Sequence, residues 1–267
     1  MMHLFSMKFR ALNIALFVCF ILSGCFGETS TAPTVTAPPD ITIEATGKLT
    51  QVTLGIATAI DATGGPITPT HDGPAAFPVG ATTVVWSATD AAGSTGTVTQ
   101  VVTVTDTIAP IITPPANMNV ESTGVLSFVL NLGVATAFDL VDTGLVATHN
   151  APATFPMGIT TVTWSVTDTV GNVATATQLV TVADTTAPVI TVPVAVNGVS
   201  NDNNPVAVAI GAATATDLFA VTISSDAPLS FPVGITTVTW TATDAHGNTS
   251  IATELVTVFL LMWYRLY

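Results

Sequence analysis

The stretch FPMGITTVTWSVTD, residues 155–168, decides the fold of this chain, because it combines a corner, a strand and a turn signal. Within it, Val162, Trp164 and Val166 alternate with threonine and serine. An alternation with a period of two residues is typical of a half-buried strand, which has one face in the core and the other in water. The Pro-x-Gly before the strand predicts a sharp corner, and Asp168 after it predicts a turn. A second strand rich in Thr and Val follows, so the pair is expected to form a β-hairpin.

The same pattern occurs three times along the chain, which makes the chain a tandem array. The Phe of each corner is followed at a fixed distance by a Trp and then by an Asp, in successive steps of 78 and 76 residues. These repeat markers are Phe77, Trp86 and Asp90, then Phe155, Trp164 and Asp168, and finally Phe231, Trp240 and Asp244. Repetition at a fixed period indicates repeated domains. Short strands between regular turn signals, without a helical pattern, predict an all-β chain of three immunoglobulin-like β-sandwiches with the Trp residues in their cores.

The first residues of the chain predict export. Residues 1–24 resemble a signal peptide, since Lys8 and Arg10 precede an apolar run that is too short to cross a bilayer as a helix. The run ends in Leu-Ser-Gly-Cys25, which resembles the lipobox of bacterial lipoproteins. That resemblance implies that Cys25 is acylated, becomes the mature N-terminus and anchors the protein in a membrane, at the outer membrane or the cell surface. The alternative is an ordinary signal peptide with a chance cysteine.

Composition and repeat positions give the expected domain boundaries. Residues 25–37 are rich in Pro and Thr, which predicts a flexible tether after the lipidated cysteine. The three repeats are predicted at 38–106, 107–184 and 185–258. Residues 259–267 form an atypical apolar tail, for which two explanations remain open. One is a truncation or a reading-frame break, and the other is an apolar peg for a partner or a membrane surface.

The charge of the chain argues against one class of partner. The chain has 4 Lys and Arg residues against 17 Asp and Glu residues, so its formal net charge is −13. Binding to nucleic acid requires clustered Lys and Arg, so no nucleic-acid partner is expected. If Cys25 is acylated, the exported chain keeps no cysteine for a disulfide. The hydrophobic cores alone must then stabilise the repeats.

The repeated run Phe-Pro-x-Gly-x-Thr-x-Val-x-Trp-x-x-Thr-Asp-x-x-Gly-Asn resembles the hyalin-repeat (HYR) family. The linker pattern Asp-Thr-x-Ala-Pro also fits, and the resemblance covers nearly all of residues 38–258. It implies an immunoglobulin-like fold in an extracellular protein associated with adhesion and matrix. The chain departs from the animal pattern because it lacks the cysteine pair of the repeat. The first copy also has Ser94 where the others have Asn172 and Asn248.

Aspartates at equivalent positions of the repeats are candidate ligands for Ca²⁺. In an immunoglobulin-like sandwich, the loops that carry them are expected at one end, where the linker from the preceding repeat arrives. Their carboxylates could supply oxygen ligands to Ca²⁺ and stiffen the junction. The candidates are Asp106, Asp139 and Asp168 at the first junction, and Asp184, Asp217 and Asp244 at the second. The alternative is that these residues only form Asx turns and cap linkers.

The sequence predicts a binding or structural protein rather than an enzyme. Its acids recur with the period of the fold, and we find no catalytic triad, Cys nucleophile, zinc-ligand spacing or phosphate loop. We therefore expect a lipid-anchored extracytoplasmic rod that acts as a structural spacer, as an adhesion module for an unknown protein or glycan, or as both. The alternatives are a non-catalytic fragment of a larger secreted adhesin or enzyme, and a carbohydrate-binding module.

Overall fold

A computed structural model describes residues 31–129 and 131–262 as strands, turns and loops. No helix occurs in this part of the chain, so none of these residues belongs to a helix that could cross a membrane. The predicted signal peptide, the acylation of Cys25 and residues 263–267 of the tail lie outside the described residues. The described residues form two compact units: unit 1 comprises residues 31–108 and 140–143, and unit 2 comprises residues 109–129, 131–139 and 144–262.

The first repeat belongs to unit 1 and is a sandwich of short and long strands. Its strands are β1 (Thr34–Thr36), β2 (Ile41–Glu44), β3 (Leu49–Thr50), β4 (Thr58–Ile60), β5 (Pro66–Ile67), β6 (Thr70–His71), β7 (Phe77–Pro78), β8 (Gly80–Thr89) and β9 (Thr95–Thr105). The largest sheet has the order β2-β9-β8-β6, and smaller sheets are formed by β1-β4-β5 and by β3-β7. The long hairpin β8–β9 is antiparallel, whereas β2 runs parallel to β9.

The second and third repeats lie mainly in unit 2 and follow the same plan. The second contains β10 (Ile111–Thr113), β11 (Met118–Glu121), β12 (Leu126–Ser127), β13 (Thr136–Phe138), β14 (Thr148–His149), β15 (Phe155–Pro156), β16 (Gly158–Thr167) and β17 (Val173–Ala183). The third contains β18 (Val189–Thr191), β19 (Val196–Ser200), β20 (Thr214–Thr216), β21 (Val221–Ser225), β22 (Gly234–Asp244) and β23 (Thr249–Leu260). Their four-stranded sheets have the orders β11-β17-β16-β14 and β19-β23-β22-β21. The predicted fold class, an all-β tandem array of β-sandwiches, is confirmed.

The Phe-Pro-x-Gly corners close the core of each repeat. The side chains of Phe77, Phe155 and Phe231 are each only 1% exposed. The glycine of each corner has a positive φ, for example 98° at Gly158, a conformation that only glycine adopts without strain. The corner therefore turns the chain sharply while its Phe fills the core.

A glutamine on the last strand accepts the hydrogen bond of the buried tryptophan in the second repeat. The indole Nε1 of Trp164 donates a hydrogen bond of 3.1 Å to Oε1 of Gln178. The amide nitrogen of Gln178 donates to the carbonyl oxygens of Ala116, at 2.8 Å, and Leu132, at 3.0 Å. Gln178 is fully buried, and one side chain thus connects three segments of the sandwich. The first repeat has the same arrangement around Gln100.

The third repeat has a glutamate where the other two have this glutamine. Oε2 of Glu254 accepts a hydrogen bond of 3.1 Å from Nε1 of Trp240. Oε1 of Glu254 is buried and has no hydrogen-bond partner. This oxygen corresponds to the amide nitrogen that donates two hydrogen bonds in each of the other repeats. The third core therefore contains a polar defect that the first two lack.

The structure corrects two of the expected boundaries. Residues 34–36 were expected within a flexible tether, but they form β1 and pair with β4 in the first sandwich. The composition is misleading here because a Thr- and Pro-rich segment suits an extended edge strand as well as an unfolded chain. Gly96 permits this docking, since a Cβ there would overlap the carbonyl oxygen of Pro33. At the other end, β23 extends to Leu260 because Phe259 and Leu260 still pair with β19.

Candidate functional site

The turn that joins the two long strands of each repeat is organised by an aspartate side chain. Oδ1 of Asp168 accepts hydrogen bonds from the backbone nitrogens of Val170, Gly171 and Asn172, at 2.7 to 3.0 Å. Oδ2 of Asp168 accepts a further hydrogen bond of 2.7 Å from the side chain of Asn172. Asp90 and Asp244 bind the amides of their own turns in the same way, so all three are Asx-turn residues.

These hydrogen bonds keep the carboxylates of Asp168 and Asp244 ionised. Burial raises the pKa of Asp168, but the hydrogen bonds from the side chain and backbone of Asn172 and from Gly171 and Val170 lower it by more. The pKa of Asp244 is likewise raised by burial and lowered further by hydrogen bonds from Asn248, His246 and Gly247. Both pKa values lie below that of an ordinary aspartate, so these turns carry negative charge at neutral pH.

The linker before the third repeat meets the turn at the end of β22. Oδ2 of Asp184 lies 3.0 Å from Nδ1 of His246, and the side-chain nitrogen of Asn248 donates to the carbonyl oxygen of Asp184 at 3.1 Å. One donor atom from each of Asp184, Asp244 and His246 lies within 4.8 Å of the other two. The side chain of Asp184 is 3% exposed and that of His246 is 33% exposed. Two predicted site residues, Asp184 and Asp244, are therefore brought together.

Each of the other predicted site residues is described by its own local contacts. Oδ1 of Asp217 binds the backbone nitrogen of Phe219 at 2.9 Å, and Asp217 is not a member of the cluster of Asp184, Asp244 and His246. Asp139, which is 8% exposed, follows β13 in unit 2. Asp106 follows β9 in unit 1, where its Oδ1 accepts a hydrogen bond of 3.3 Å from Ile108. Calcium binding at any of these residues stays a prediction.

The sequence reasoning missed His246. The turn residue at its position is Ala92 in the first repeat and Val170 in the second, so comparison of the three copies could have identified it. The ring of Phe219 contacts the imidazole of His246 edge-on, at a centroid distance of 4.4 Å. The chain therefore fixes this imidazole from two sides, by Phe219 and by Asp184.

A glutamate of the second repeat binds the two linker residues that follow Asp184. Glu121 Oε1 accepts hydrogen bonds from the backbone nitrogens of Thr185, at 2.8 Å, and Thr186, at 3.2 Å. The hydroxyl groups of the same two threonines donate to the two carboxylate oxygens at 2.6 and 2.9 Å. These bonds, that of the Thr185 hydroxyl above all, lower the pKa of Glu121 from 4.5 to about 2. The linker is thus held by both repeats of unit 2.

We expect acid to release the linker from Glu121. Because the folded-state pKa lies below the ordinary value, the stabilisation is complete above pH 4.5 and is lost as the pH falls toward about 2. An NMR titration of the Thr185 amide should show a transition in that window, and Glu121→Gln should remove it. A transition of the wild-type amide centred at pH 4.5 or above would contradict this assignment.

The outward faces of the long hairpins are rich in threonine and uncharged. Thr163 lies opposite Thr177 on β16 and β17, and Thr239 lies opposite Thr253 on β22 and β23. Exposed aliphatic side chains such as Ile235 lie on the same faces. Charged residues of these two hairpins occur only at buried positions, as with Glu254 and Asp244. The repeats therefore present similar hydroxyl-rich surfaces.

Comparisons with known proteins agree with the repeat pattern. Residues 183–258 match the model of the HYR domain. The chain is 35% identical over 200 residues to hyalin of Lytechinus variegatus, which covers 68% of this chain and 37% of that protein. It is 34% identical over 263 residues to hyalin of Strongylocentrotus purpuratus, which covers 88% of this chain and 22% of that protein. These matches support hyalin-repeat domains, and the chain spans well under half the length of either relative.

Solved structures of cadherin domains also resemble this chain. Mouse cadherin-23 EC22-24 is 16% identical, with coverage of 86% of this chain and 99% of that chain, at a TM-score of 0.32. Drosophila N-cadherin EC1-4 is 12% identical, with coverage of 85% and 75%, at a TM-score of 0.33. TM-scores at this level establish neither a shared domain arrangement nor a shared function.

Proposed function

We propose that this chain is an extracellular adhesion module. Its three HYR-like sandwiches carry repeated binding faces, and acylated Cys25 anchors the chain in a membrane. The repeated, uncharged threonine-rich sheet face is the observation that supports adhesion most directly. The HYR match and the similarity to hyalin support the same class of role. The partner is a protein or a glycan of the extracellular space.

The sheet faces have the chemistry of a multivalent contact. Pairs such as Thr163 with Thr177 place hydroxyl groups next to aliphatic side chains on a supported surface. Hydroxyl groups both donate and accept hydrogen bonds, so they suit the polar groups of a glycan or a peptide backbone. One such face binds weakly, and several linked faces gain strength through their effective concentration.

The role of membrane spacer rests on the sequence of residues 1–25. Acylation of Cys25 would fix one end of the chain to lipid, and the repeats would then set the distance to the partner. A single acyl chain gives only weak anchoring, whereas several chains together anchor stably. The lipobox resemblance implies the stronger, multiply acylated state.

Two linked measurements test this proposal. Beads coated with the full chain are applied to extracellular-matrix proteins, to a glycan library and to the chain itself. We expect capture by one of these surfaces, and weaker capture when Thr163→Glu and Thr177→Glu add charge to the sheet face of the second repeat. The matched control adds the same charge to the exposed positions Ala153 and Val170 of the same repeat. Capture that is absent, or equally reduced by the control, would contradict adhesion through this face.

Fractionation of cells that express the full chain tests the anchor separately. We expect wild-type chain in the membrane fraction and Cys25→Ser chain in the soluble or secreted fraction, while beads coated with either protein behave alike. Unchanged fractionation of the Cys25→Ser chain would contradict the anchor and leave the adhesion result intact.

A second possibility is that the chain acts as part of a longer adhesive protein. The specific observation is its coverage of 37% and 22% of the two hyalins. The repeats would then contribute a share of a larger array with the same sheet faces.

A further inference from the structure

Three side chains of unit 2 converge in a way that suits a metal ion. Donor atoms of Asp184, Asp244 and His246 lie within 4.8 Å of one another, and Nδ1 of His246 lies 3.0 Å from Oδ2 of Asp184. Ligands bound to zinc at about 2.0–2.2 Å are roughly 3.3–3.6 Å apart when the coordination is tetrahedral. Small side-chain movements would therefore place all three donors around one ion.

The burial of the Asp184 carboxylate favours a cation beside it. The side chain of Asp184 is 3% exposed, and Asp244 is 6% exposed as a residue. No Lys or Arg occurs among the described residues of unit 2. Buried carboxylates are normally paired with a cation or bound to a metal. Hydrogen bonds of its own turn compensate the charge of Asp244, as they do at Asp168. Asp184 instead depends on the His246 ring and on a hydrogen bond of 3.3 Å from the backbone nitrogen of Thr186.

The surrounding structure holds the three side chains close to this arrangement before a metal arrives. Asp244 is fixed by the amides of its own turn, and the backbone of Asp184 is held by Asn248. The ring of Phe219 packs edge-on against the imidazole of His246. Fixing the ligands in advance lowers the entropy cost of binding a metal, and partners of this kind support metal sites in general.

The nature of the donors selects the metal. Ca²⁺ prefers six to eight oxygen ligands, whereas Zn²⁺ combines imidazole nitrogen with carboxylate oxygen in four-coordinate sites. We propose that Asp184, Asp244 and His246 bind Zn²⁺, with water in the remaining position. The ion would join the linker to a turn that lies about 60 residues further along the chain. It would stabilise the folded third repeat together with its linker.

Titrations of the full chain test the assignment. Isothermal titration calorimetry and thermal unfolding are measured with ZnCl₂, CaCl₂ and metal-free buffer. We expect one Zn²⁺ per chain and a higher unfolding temperature with zinc, and no comparable effect of calcium. His246→Ala should weaken zinc binding at least about 100-fold, since even the supporting partners of metal ligands contribute about 10–100-fold. This variant should fold, because Ala92 occupies the same turn position in the first repeat.

Two further variants make the test specific. His149→Ala removes another exposed histidine of unit 2 and should leave zinc binding unchanged. Asp184→Asn, which keeps the size of the side chain and removes its charge, should weaken binding as His246→Ala does. Absence of zinc binding, equal binding by His246→Ala, or equal responses to calcium and zinc would each overturn the proposal.

Discussion

Gln178→Leu is expected to lower the free energy of unfolding of the second sandwich by about 3–5 kcal/mol. Leucine fills a similar volume, but it leaves the Trp164 indole nitrogen without an acceptor. It also leaves the carbonyl oxygens of Ala116 and Leu132 without their donor. Each buried group that loses its partner costs roughly 1–3 kcal/mol. Since whole domains are stable by only about 5–15 kcal/mol, this sandwich should unfold locally while the others persist.

Hydrogen exchange followed by mass spectrometry resolves this effect, because it reports each repeat of the chain separately. Peptides from β16 and β17 should lose protection in Gln178→Leu. The control is Thr177→Leu, which adds the same side chain at the adjacent, outward position. It should change stability by no more than about 0.5 kcal/mol. Equal protection of the Gln178→Leu variant and the wild type would show that the glutamine is dispensable.

Glu254→Gln is expected to stabilise the third sandwich by about 1–3 kcal/mol. The buried Oε1 of Glu254 has no partner, whereas glutamine would place an amide nitrogen there. In the second repeat, the equivalent nitrogen donates to the carbonyl oxygens of Ala116 and Leu132. The corresponding carbonyl oxygens of the third repeat are those of Val194 and Ile210, so the new nitrogen should donate to them. The bond from Trp240 is kept, because the remaining oxygen of glutamine accepts it as Gln178 Oε1 does.

The reciprocal change provides the matched control. Gln178→Glu introduces the glutamate of the third repeat into the second and should destabilise that repeat by a similar amount. Hydrogen exchange of β22 and β23 is compared with that of β16 and β17 in both variants. Loss of protection around β22 in Glu254→Gln would refute the view that the glutamate is a defect.

Much of the fold could be predicted because its signals are local and repeated. The alternation around Trp164 fixes which face of the strand is buried, and the Phe-Pro-x-Gly corner marks where the strand begins. The position of Gln178 could be predicted as well, because it lies on the inward face of its strand. In the first and second repeats, the glutamine follows the tryptophan by 14 residues. The surrounding Thr and Val residues of the second strand of the hairpin mask this single polar position.

The remaining differences come from contacts between distant segments. Pairing of residues 34–36 with β4 depends on the space above Gly96, which composition does not reveal. The convergence of Asp184 with Asp244 was predicted from the expected loop positions. The participation of His246 was not, because it occurs in only one of the three turns. Comparison of what the repeats share cannot predict the role of a residue that occurs in only one repeat.

The parallel pairing of β2, β11 and β19 with the last strand of each repeat has a mechanical consequence. In each pair the second strand of the repeat and its last strand lie side by side and point the same way, with four or five residue pairs in register. Tension between these two strands therefore loads the whole ladder of hydrogen bonds in shear, rather than opening the bonds one after another. Tension that reaches these strands within a sandwich is therefore resisted by a short ladder of hydrogen bonds that must break together.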